Sequence, residues 1–415
     1  MTVSTNVQLT PSVEVPASFV DKFVGVYKHL HANPELSAQE SKTAEYIEST
    51  LSGLEIEHFR CGKTGVVGIL RNGAGPVVGF RADTDGLPMS EQTGLDYASR
   101  ATGVLADGTA VPVMHGCGHD THIASALALA ALLSGQKDLW AGTLVFIFQP
   151  GEETAYGARA MVDDGLWEKA PRPEVVLGQH VMASRAGSIM IRNGHMANLC
   201  DSWKVTVHGK QSHGSQPELG IDPIVAAAAM VMRLQTIVSR EVACANQAVV
   251  TVGTFHAGLK ENIIPGDAVF TLNVRTPDEA TRATVLAAIR RIISAEAAAS
   301  GAPEPTIEEL YNFPRCYNDP SETERVVAAF SKDFGAAAID ELPLGAGSED
   351  VGWLSDAIGV PGVFWGFGGF KEELFENGAK PVGHHSPHFA PDAQISIEKG
   401  TGFALSAVLA YLGRK

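Results

Sequence analysis

The sequence is poor in charged residues, and basic residues are the scarcer kind. Of 415 residues, 31 are Lys or Arg and 47 are Asp or Glu, which gives a formal net charge of −16. So acidic a chain argues against nucleic acid or an anionic membrane as its partner. No apolar run approaches the about 18 residues of a membrane-spanning helix, and the first 20 residues lack the basic start and apolar centre of a secretory signal. We therefore expect a cytoplasmic protein that binds neither nucleic acid nor membrane.

Cysteine is also scarce, with five residues scattered along the chain. An odd, scattered set forms no disulfide framework and fits a reducing compartment. A Gly-x-Ser-x-Gly elbow is absent, and Ser348 lies in a Gly-Ser-Glu-Asp stretch without that turn pattern, which argues against a serine hydrolase. The glycine-rich segment 366–370 has no Gly-Lys-Ser context, so it is not a phosphate loop. It is either a simple turn or a loop whose aromatic residues line an acyl pocket.

The length and the order of apolar patterns predict two domains. The first half alternates apolar strands with helical patterns, which predicts a helix-covered, mostly parallel α/β sheet. From about Arg192 a β-α-β-β-α order, with a further short strand possible, suggests an inserted ferredoxin-like α+β domain. We predict a discontinuous catalytic domain of residues 1–191 and 313–415 and an inserted domain of residues 192–312. The predicted helices span residues 19–30, 41–54, 121–133, 224–238, 278–300 and 395–411.

Several metal-ligand side chains follow runs that have the composition of buried strands. Glu152 and Glu153 come shortly after the run 144–148, His180 follows the run 174–179, and Asp83 follows the run 77–80. Open α/β sheets build their sites at such strand ends, where loops from distant positions converge. Alone, each feature has an ordinary explanation, such as a solvated helix start or a hydrogen-bonded core histidine. Together they predict a metal site.

Cys117 and His119 are separated by one residue, which in an extended segment would point both side chains the same way. A thiolate beside an imidazole suits Zn, Mn, Co or Ni better than Mg or Ca. A Cys-x-His pair also arises by chance, and a histidine in the His-rich tail around His385 is most simply an exposed one. The prediction of a metal site therefore depends on how many separated segments carry residues that can bind a metal ion.

Three motifs make the resemblance to a known family specific: Met-His-Gly-Cys-Gly-His-Asp at 114–120, Gln-Pro-Gly-Glu-Glu at 149–153 and Gly-Ser-Glu-Asp at 347–350. In these the chain resembles the hippurate hydrolase and aminoacylase branch of the co-catalytic metallopeptidase family, which also holds plant auxin-conjugate hydrolases and N-acetyl-diaminopimelate deacetylases. The likeness extends from the segment 31–35 to the tail. It implies a catalytic α/β domain, an inserted dimerisation or lid domain, a homodimer, and two divalent metal ions per subunit.

The resemblance also implies roles for individual residues. Glu152 would be the general base, and Cys117 would bridge the two ions where the wider family uses an aspartate. His384 and His388 compete with His385 in the tail, but the family's ligand precedes the Ser-Pro step, which selects His385. The metal ligands implied are Cys117, His119, Glu153, His180 and His385.

Three residues of the inserted domain match further functional positions of the family. His213 matches the histidine that reaches a neighbouring subunit's site and steadies the oxyanion, although it is otherwise a plain loop histidine. Asn262 and Arg275 resemble the pair that holds the substrate's free carboxylate, a task suited to a guanidinium fork, and a surface ion pair is the alternative for Arg275. Gln211 and Ser212 stand where the family usually has two glycines, which alters the loop but not the histidine.

The predicted function is metal-dependent hydrolysis of N-acyl amino acids to a carboxylic acid and a free amino acid. Metal-bound water would be the nucleophile, with Glu152 accepting its proton. Asp83 and Asp120 would hold ligand histidines through their second ring nitrogens, and a strand-end cap is an equal alternative for Asp83. A metallo-dipeptidase would need a group that binds a free α-amine, and a non-catalytic binding protein on this scaffold would lack the base. Trp365 and Phe367 favour an acyl group larger than acetyl.

Overall fold

The computed structural model describes residues 15–343, 347–378 and 381–414. Within them the chain forms two compact units. The large unit comprises the chain up to Met196, the segment Tyr317–Pro343 and the chain from Asp350 onward. The small unit comprises Ala197–Cys316 with residues 347–349. The predicted insert of residues 192–312 and its role as a lid stay predictions.

The secondary structure alternates strands and helices through the large unit and is dominated by long antiparallel strands in the small one. The strands are β1 (Glu57–Cys61), β2 (Gly65–Asn72), β3 (Val77–Asp83), β4 (Thr102–Val104), β5 (Ala110–Pro112), β6 (Gly142–Gln149), β7 (Val175–Arg185), β8 (Ile189–Ile191), β9 (Gly194–Ala197), β10 (Leu199–His208), β11 (Ser212–His213), β12 (Val249–Ala257), β13 (Ile263–Ile264), β14 (Asp267–Thr276), β15 (Thr306–Phe313), β16 (Cys316–Asn318), β17 (Ile339–Glu341) and β18 (Gly362–Phe370). The helices are α1 (Ala17–Ala32), α2 (Ser41–Gly53), α3 (His119–Gly135), α4 (Gly157–Asp163), α5 (Leu166–Lys169), α6 (Pro223–Leu234), α7 (Thr236–Arg240), α8 (Glu279–Ala299), α9 (Pro320–Phe334), α10 (Gly352–Asp356) and α11 (Ala393–Leu412).

The large unit is built on an eight-stranded sheet in the order β1-β2-β6-β3-β7-β18-β8-β17. Its four central strands, β6, β3, β7 and β18, run parallel to one another, whereas β1, β2 and β8 add antiparallel pairings. The register aligns Asp83, the last residue of β3, with Gln149, the last residue of β6. Parallel strand ends meet at one edge of a sheet, so the segments that follow β3 and β6 begin side by side.

Helix α3 lies at the centre of the large unit, packed against α1 and α11 and against strands β3 and β7. Its alanine and leucine side chains are buried on all sides from His119 to Leu133, as in a helix that is apolar all round. Burying one leucine of this kind stabilises the fold by about 1.5–3 kcal/mol relative to its exposure. Leu129→Ala would remove that contribution and leave a cavity, at a cost of about 2–5 kcal/mol. The first residue of α3 is therefore fixed in place by the core.

The small unit has a four-stranded antiparallel sheet in the order β12-β14-β10-β15. Its elements follow the chain order β10, α6, α7, β12, β14, α8, β15, which is the βαββαβ pattern of ferredoxin-like domains. Strand β14 alternates buried with partly exposed residues, as a sheet with one covered face requires. Trp203, Phe270, Met230 and Ile289 belong to its core, which is separate from that of the large unit.

The predicted fold class is confirmed, and all six predicted helices occur, with differences in detail. The helix predicted at 224–238 is divided into α6 and α7 at Gln235. His180 lies inside β7 and not after its end, because β7 continues to Arg185 alongside β18. The segment 366–370 is part of β18 and is neither a turn nor a loop. Among the described residues, the structure has no helix both long and apolar enough to cross a membrane.

Candidate metal centre

A sharp turn brings Cys117 and His119 to the site. The predicted extended segment is wrong here: Gly118 has φ +83° and His119 is already the first residue of α3. Glycine adopts this left-handed conformation without the strain that a side chain would cause. A Cβ atom at Gly118 would also lie 2.5 Å from Val181 Cγ1. Both the backbone conformation and the close approach of β7 therefore require glycine between the two candidate ligands.

Glu152 and Glu153 follow β6 in a second tight turn. Gly151 has φ +58° and Glu152–Thr154 forms a single 3₁₀ turn. Glu153 donates its backbone N–H to Asp85 Oδ2 at 3.0 Å. Glu152 is 7% exposed. Because adjacent residues in such a turn point in different directions, the two carboxylates are available for different tasks.

The five predicted metal ligands converge in the large unit. Cys117 Sγ and ring nitrogens of His119 and His180 all lie within 4.8 Å of one another. A second group with the same spread joins Cys117 to Glu153 and His385, whose Nε2 lies 3.2 Å from Glu153 Oε1. Cys117 is common to both groups, which is the arrangement a thiolate shared by two cations requires.

The hydrogen bonds of His119 and His180 leave one nitrogen of each ring available. His119 donates from Nδ1 to the Asp85 carbonyl at 3.0 Å, with Asp85 Oδ1 at 3.2 Å. Its buried Nε2 makes no hydrogen bond among the described residues, and the nearest carboxylate oxygen given for it, Asp83 Oδ2, lies 3.6 Å away. His180 donates from Nδ1 to the Val181 carbonyl at 2.7 Å, and its Nε2 lies 3.5 Å from Cys117 Sγ. A metal-binding imidazole has its second nitrogen held in this way, so the residues present fit divalent cations.

The tail histidines are also distinguished by their contacts. His384 donates from Nε2 to the Val181 carbonyl at 2.8 Å, and His388 donates from Nδ1 to the Gln92 carbonyl at 2.7 Å. His385 instead lies beside Glu153 and has φ +62°, a left-handed conformation that is strained for a residue other than glycine. These contacts favour His385 as the ligand of the three, in agreement with the Ser-Pro argument.

The expectation that Asp83 and Asp120 hold ligand histidines is wrong. Asp83 accepts from His122 Nδ1 and from Arg81 Nη1, the latter at 2.7 Å. Asp120 accepts from His31 Nδ1 at 2.7 Å. Asp85 instead holds the second ring nitrogen of a ligand histidine. It lies two residues beyond Asp83 and reaches both His119 and the turn after β6. Neither Asp85 nor His122 was singled out from the sequence, and the Asp-Thr-Asp spacing after β3 was the one available signal.

His122 is buried beside the cluster but both of its ring nitrogens are engaged. Nδ1 donates to Asp83, and Nε2 accepts the Val181 backbone N–H at 2.8 Å. The ring therefore ties α3 to β7 next to His180. Although Asp83, His122 and His180 form a further group of possible ligand atoms, His122 has no free lone pair to offer.

The pKa values of the candidate ligands shift in opposite directions: burial, followed by the neighbouring His122 and His384, lowers the pKa of His180 well below its ordinary value. Burial lowers the pKa of His119, but Asp83, Asp85 and Cys117 outweigh it and the net pKa is well above the ordinary value. Hydrogen bonds to Cys117 and then to Glu153 raise the pKa of His385 to about 10. Burial raises the pKa of the Cys117 thiol. Divalent cations that bind here would displace the protons that His119, His385 and Cys117 retain, whereas His180 is ready to bind as a neutral imidazole.

The remaining predicted site residues lie in the small unit. His213 and Asn262 are held next to each other, because β11 pairs with β13 and Gly214 donates its N–H to the Asn262 carbonyl at 2.8 Å. His213 accepts at Nδ1 from the backbone N–H and the hydroxyl of Ser215, which leaves its Nε2–H as a donor. Both side chains are exposed. Their relation to the metal ligands stays a prediction.

Arg275 is half-buried on β14 and is already oriented by two neutral partners. Its Nε donates to Asn273 Oδ1 at 2.9 Å and its Nη1 donates to Ser348 Oγ at 2.6 Å. Ser348 belongs to the third sequence motif, so the structure joins two predicted features within the small unit. The guanidinium is held by amide and hydroxyl groups, which do not neutralise its charge, and it remains suited to a carboxylate.

The predicted acyl-pocket role of the segment 366–370 is wrong. Trp365 and Phe367 are completely buried in the core of the large unit. The glycines of this segment allow β18 to pack closely: a Cβ at Gly368 would lie 1.8 Å from the Arg185 carbonyl oxygen. Because both rings are buried in the core, they give no preference for an acyl group larger than acetyl.

The protein combines a mainly parallel sheet, a ferredoxin-like small unit and converging thiol, imidazole and carboxylate groups. These features are characteristic of the metallopeptidase class of hydrolytic enzymes. The family model described as peptidase family M20/M25/M40 matches residues 79–395. The protein belongs to this family.

Similar proteins and solved structures support membership of the same family. Hippurate hydrolase of Campylobacter jejuni is 40% identical over 264 residues, covering 63% of this chain and 66% of that protein. N-acetyl-L-cysteine deacetylase of Bacillus subtilis is 34% identical over 351 residues, covering 84% of this chain and 80% of the relative. The Bacillus subtilis YXEP protein, a dinuclear metal binding peptidase from the M20 family, gives a TM-score of 0.76 at 28% identity, covering 95% of this chain and 99% of that chain. The resemblance seen in the sequence motifs is confirmed, and the protein is a hydrolytic enzyme.

Proposed function

We propose that the protein hydrolyses the amide bond of N-acyl amino acids and releases a carboxylic acid and a free amino acid. The observation that carries this proposal is the pair of ligand groups that share Cys117, with Glu152 grouped beside His119 and Glu153. The names of the relatives support the same substrate class. Acetyl, aromatic and longer aliphatic acyl groups all remain candidates for the substrate.

The proposed centre assigns a different task to each of two adjacent carboxylates. Two divalent cations, Zn, Mn, Co or Ni, would be held by Cys117, His119, Glu153, His180 and His385. When bound, they would lower the pKa of water and polarise the substrate carbonyl. Glu152 accepts the proton of the attacking water as its oxygen bonds to the carbonyl carbon. It then delivers that proton to the amide nitrogen as the C–N bond breaks, a role worth about 10²–10⁴-fold in rate.

The small unit would supply recognition of the substrate. Arg275 and Asn262 would bind the free carboxylate of the amino acid, which distinguishes N-acyl amino acids from simple amides. His213 would donate its Nε2–H to the oxyanion in the site of a neighbouring subunit. His213 is suited to this because Ser215 occupies Nδ1 and fixes the tautomer.

We also propose a homodimer formed through the small unit. Strand β12 stands at one end of the four-stranded sheet, and an uncovered edge strand is a template for pairing with another chain. On α6, Val225 is 64% exposed and Met232 is 72% exposed. Pairing β12 with β12 of a second copy would cover both features and bring His213 to a partner subunit.

Light scattering after size-exclusion chromatography tests the dimer. The double variant Val225→Glu and Met232→Glu should be monomeric, because it introduces charge into the proposed interface. Val104→Glu, at a site 53% exposed in the large unit, is the control and should remain dimeric. A wild-type chain that is monomeric at all concentrations would contradict the proposal.

The free cysteines among the described residues are compatible with a cytoplasmic location, which we propose on composition.

The reaction is tested with metal-reconstituted protein and a panel of acetyl, benzoyl, decanoyl and indole-acetyl amino acids, with the released amino acid as readout. Glu152→Gln should lower kcat about 10²–10⁴-fold while the bound metal stays stoichiometric. Glu168→Gln, an exposed glutamate on α5, should behave as wild type. No release from any conjugate by fully metal-loaded wild-type protein would refute the proposed function. Full activity of Glu152→Gln would refute the assignment of the base.

A further inference from the structure

The connection between α1 and α2 contains a buried carboxylate that the proposed mechanism does not use. Glu40 is completely buried. Its Oε1 accepts the backbone N–H groups of Ala38 and Gly151, both at 2.8 Å, and its Oε2 accepts the Thr64 hydroxyl at 2.6 Å. Burial, with a contribution from Asp85, raises the pKa of Glu40 to about 7. Burying a carboxylate costs several kcal/mol unless hydrogen bonds compensate it, and here they come from three different segments.

These contacts are not those of a helix cap. Glu40 immediately precedes α2, where a side chain ordinarily accepts N–H groups of its own helix. Glu40 makes no such bond. Its carboxylate is turned away from α2 towards Gly151, which is 111 residues distant in sequence. The connection is also strained, because Ala38 has φ +60°. Such strain persists only where surrounding contacts hold it, and the Glu40 carboxylate supplies one.

Gly151 closes the turn that carries Glu152 through its backbone hydrogen bonds. Its carbonyl accepts the N–H groups of Tyr156 and Gly157 at 3.1 Å and 3.2 Å, while its own N–H is held by Glu40. With φ +58°, Gly151 sets the direction in which the next residue, Glu152, leaves the sheet. A displacement of about 1 Å in a catalytic group lowers rates about 10²-fold, so this anchor matters to the proposed base.

A second contact supports the same turn from the same connection. Ser37 donates its hydroxyl to Asp85 Oδ2 at 2.6 Å, and that oxygen also accepts the Glu153 N–H. The segment 37–40 thus supports the turn at two points, directly at Gly151 and through Asp85 at Glu153. Removing Ser37 would leave Asp85 in place, whereas nothing described replaces Glu40 at the Gly151 N–H.

We infer that Glu40 is a positioning residue of the active site, which places Glu152 by accepting the backbone N–H of Gly151. The inference rests on the proposed function, in which Glu152 is the base. Glu40 acts through the length of its side chain and a single acceptor oxygen, and its negative charge is dispensable. Among the described residues, its carboxylate bonds to Ala38, Gly151 and Thr64, none of which is a candidate metal ligand.

Two substitutions separate length from charge. Glu40→Gln keeps the length and an acceptor oxygen, and its amide N–H can donate to the Thr64 hydroxyl. Glu40→Asp keeps the carboxylate but is one methylene too short to reach Gly151. Glu40→Gln should retain kcat within about threefold, whereas Glu40→Asp and Glu40→Ala should lose about 10- to 100-fold in kcat. KM should stay within about twofold and bound metal should stay stoichiometric in all three variants.

A matched control lies in the same segment but makes no contact with the Glu40 carboxylate. Glu35→Ala removes the carboxylate that accepts the Thr43 N–H in α2. It should keep kcat near wild type. Hydrogen exchange of the peptide 150–157 gives a readout independent of activity: protection of the Gly151 amide should fall in Glu40→Asp but not in Glu40→Gln.

The outcomes are distinct from those of the proposed function. If Glu40→Asp is as active and as protected as wild type, or if Glu40→Gln is the more damaged of the two, the inference is wrong. If wild-type protein hydrolyses no conjugate, the proposed function fails, and the exchange data alone still decide whether Glu40 holds the turn. If Glu40→Ala does not fold, the comparison of the Gln and Asp variants decides the matter.

Discussion

Asp85 holds two candidate metal ligands at once, and its replacement should weaken metal binding measurably. Its Oδ1 lies 3.2 Å from His119 Nδ1, and its Oδ2 accepts the Glu153 N–H at 3.0 Å. In Asp85→Asn, the amide NH2 must occupy one of these two positions, so either the Glu153 N–H loses its acceptor or His119 Nδ1 faces a donor and keeps only the Asp85 backbone carbonyl. Removing a hydrogen-bonded carboxylate behind a ligand typically costs 10–100-fold in metal affinity, which is about 1.4–2.7 kcal/mol. Asp85→Ala should fall at the upper end of that range.

The assay is a competition titration at fixed pH between the apoprotein and a chromophoric chelator, for Zn and for Mn. Asp107→Asn is the matched control, because that exposed carboxylate caps a turn by accepting the Thr109 N–H and is remote in sequence from the ligands. We expect its metal affinity to equal that of wild type. Affinities within twofold of wild type in both Asp85 variants would refute the view that this residue orients His119 and Glu153.

Three further predictions concern buried groups of the large unit. Burial lowers the pKa of His31, but its bonds to Asp120 and Glu91 raise it to about 10 from 6.5. The resulting contribution to stability, about 4–5 kcal/mol, is complete below pH 6.5 and is lost as pH rises to 10. His31→Gln should therefore flatten the decline of Tm between pH 6.5 and 10, and a decline as steep as that of wild type would contradict this. Gly118→Ala should lower the free energy of unfolding by more than about 2 kcal/mol, because φ is positive and the new Cβ would contact Val181. The loss should exceed that of Gly108→Ala, because Gly108 has φ +87° but open space around it, and equal losses in urea titrations would contradict this. Arg81→Met should cost about 3–5 kcal/mol by leaving Asp83 and Asp350 without their buried cation, and a calorimetric loss below 1 kcal/mol would be inconsistent with an ion-pair network.

The sequence predicted those parts of the fold in which local pattern and tertiary packing agree. Helix α3 is one example, because its alanine and leucine run follows a clear turn and has no polar face. β14 is another, since its residues alternate as they must when one face is covered. The order of elements in the small unit followed from the same two periodicities. In these cases each local preference points to the structure that the packing also requires.

The errors arose where packing overrides local preference. Glycine is disfavoured in strands, so the pattern of residues 366–370 indicated a turn or loop, yet β18 continues because Arg185 leaves no room for a side chain at Gly368. Asp83 and Asp85 both reach α3, but Asp83 bonds to His122 whereas Asp85 bonds to His119. That pairing is set by side-chain rotamers and by Arg81, which holds Asp83. No pattern along the chain encodes either fact.

Hydrogen-bond partners separate the histidines of the centre more sharply than their position in the sequence does. His119 and His180 each donate from Nδ1 to a fixed oxygen and direct Nε2 towards Cys117. His122 is as fully buried as His119 but has both nitrogens engaged, so depth of burial does not identify a ligand. His115 is the opposite case, because it is buried with neither nitrogen partnered among the described residues and yet belongs to no ligand group. An unpartnered nitrogen is therefore not sufficient either. What singles out the candidate ligands is an available nitrogen together with convergence on a shared thiol, and this combination exists only once α3, β7 and the turn after β6 have been brought together by the core.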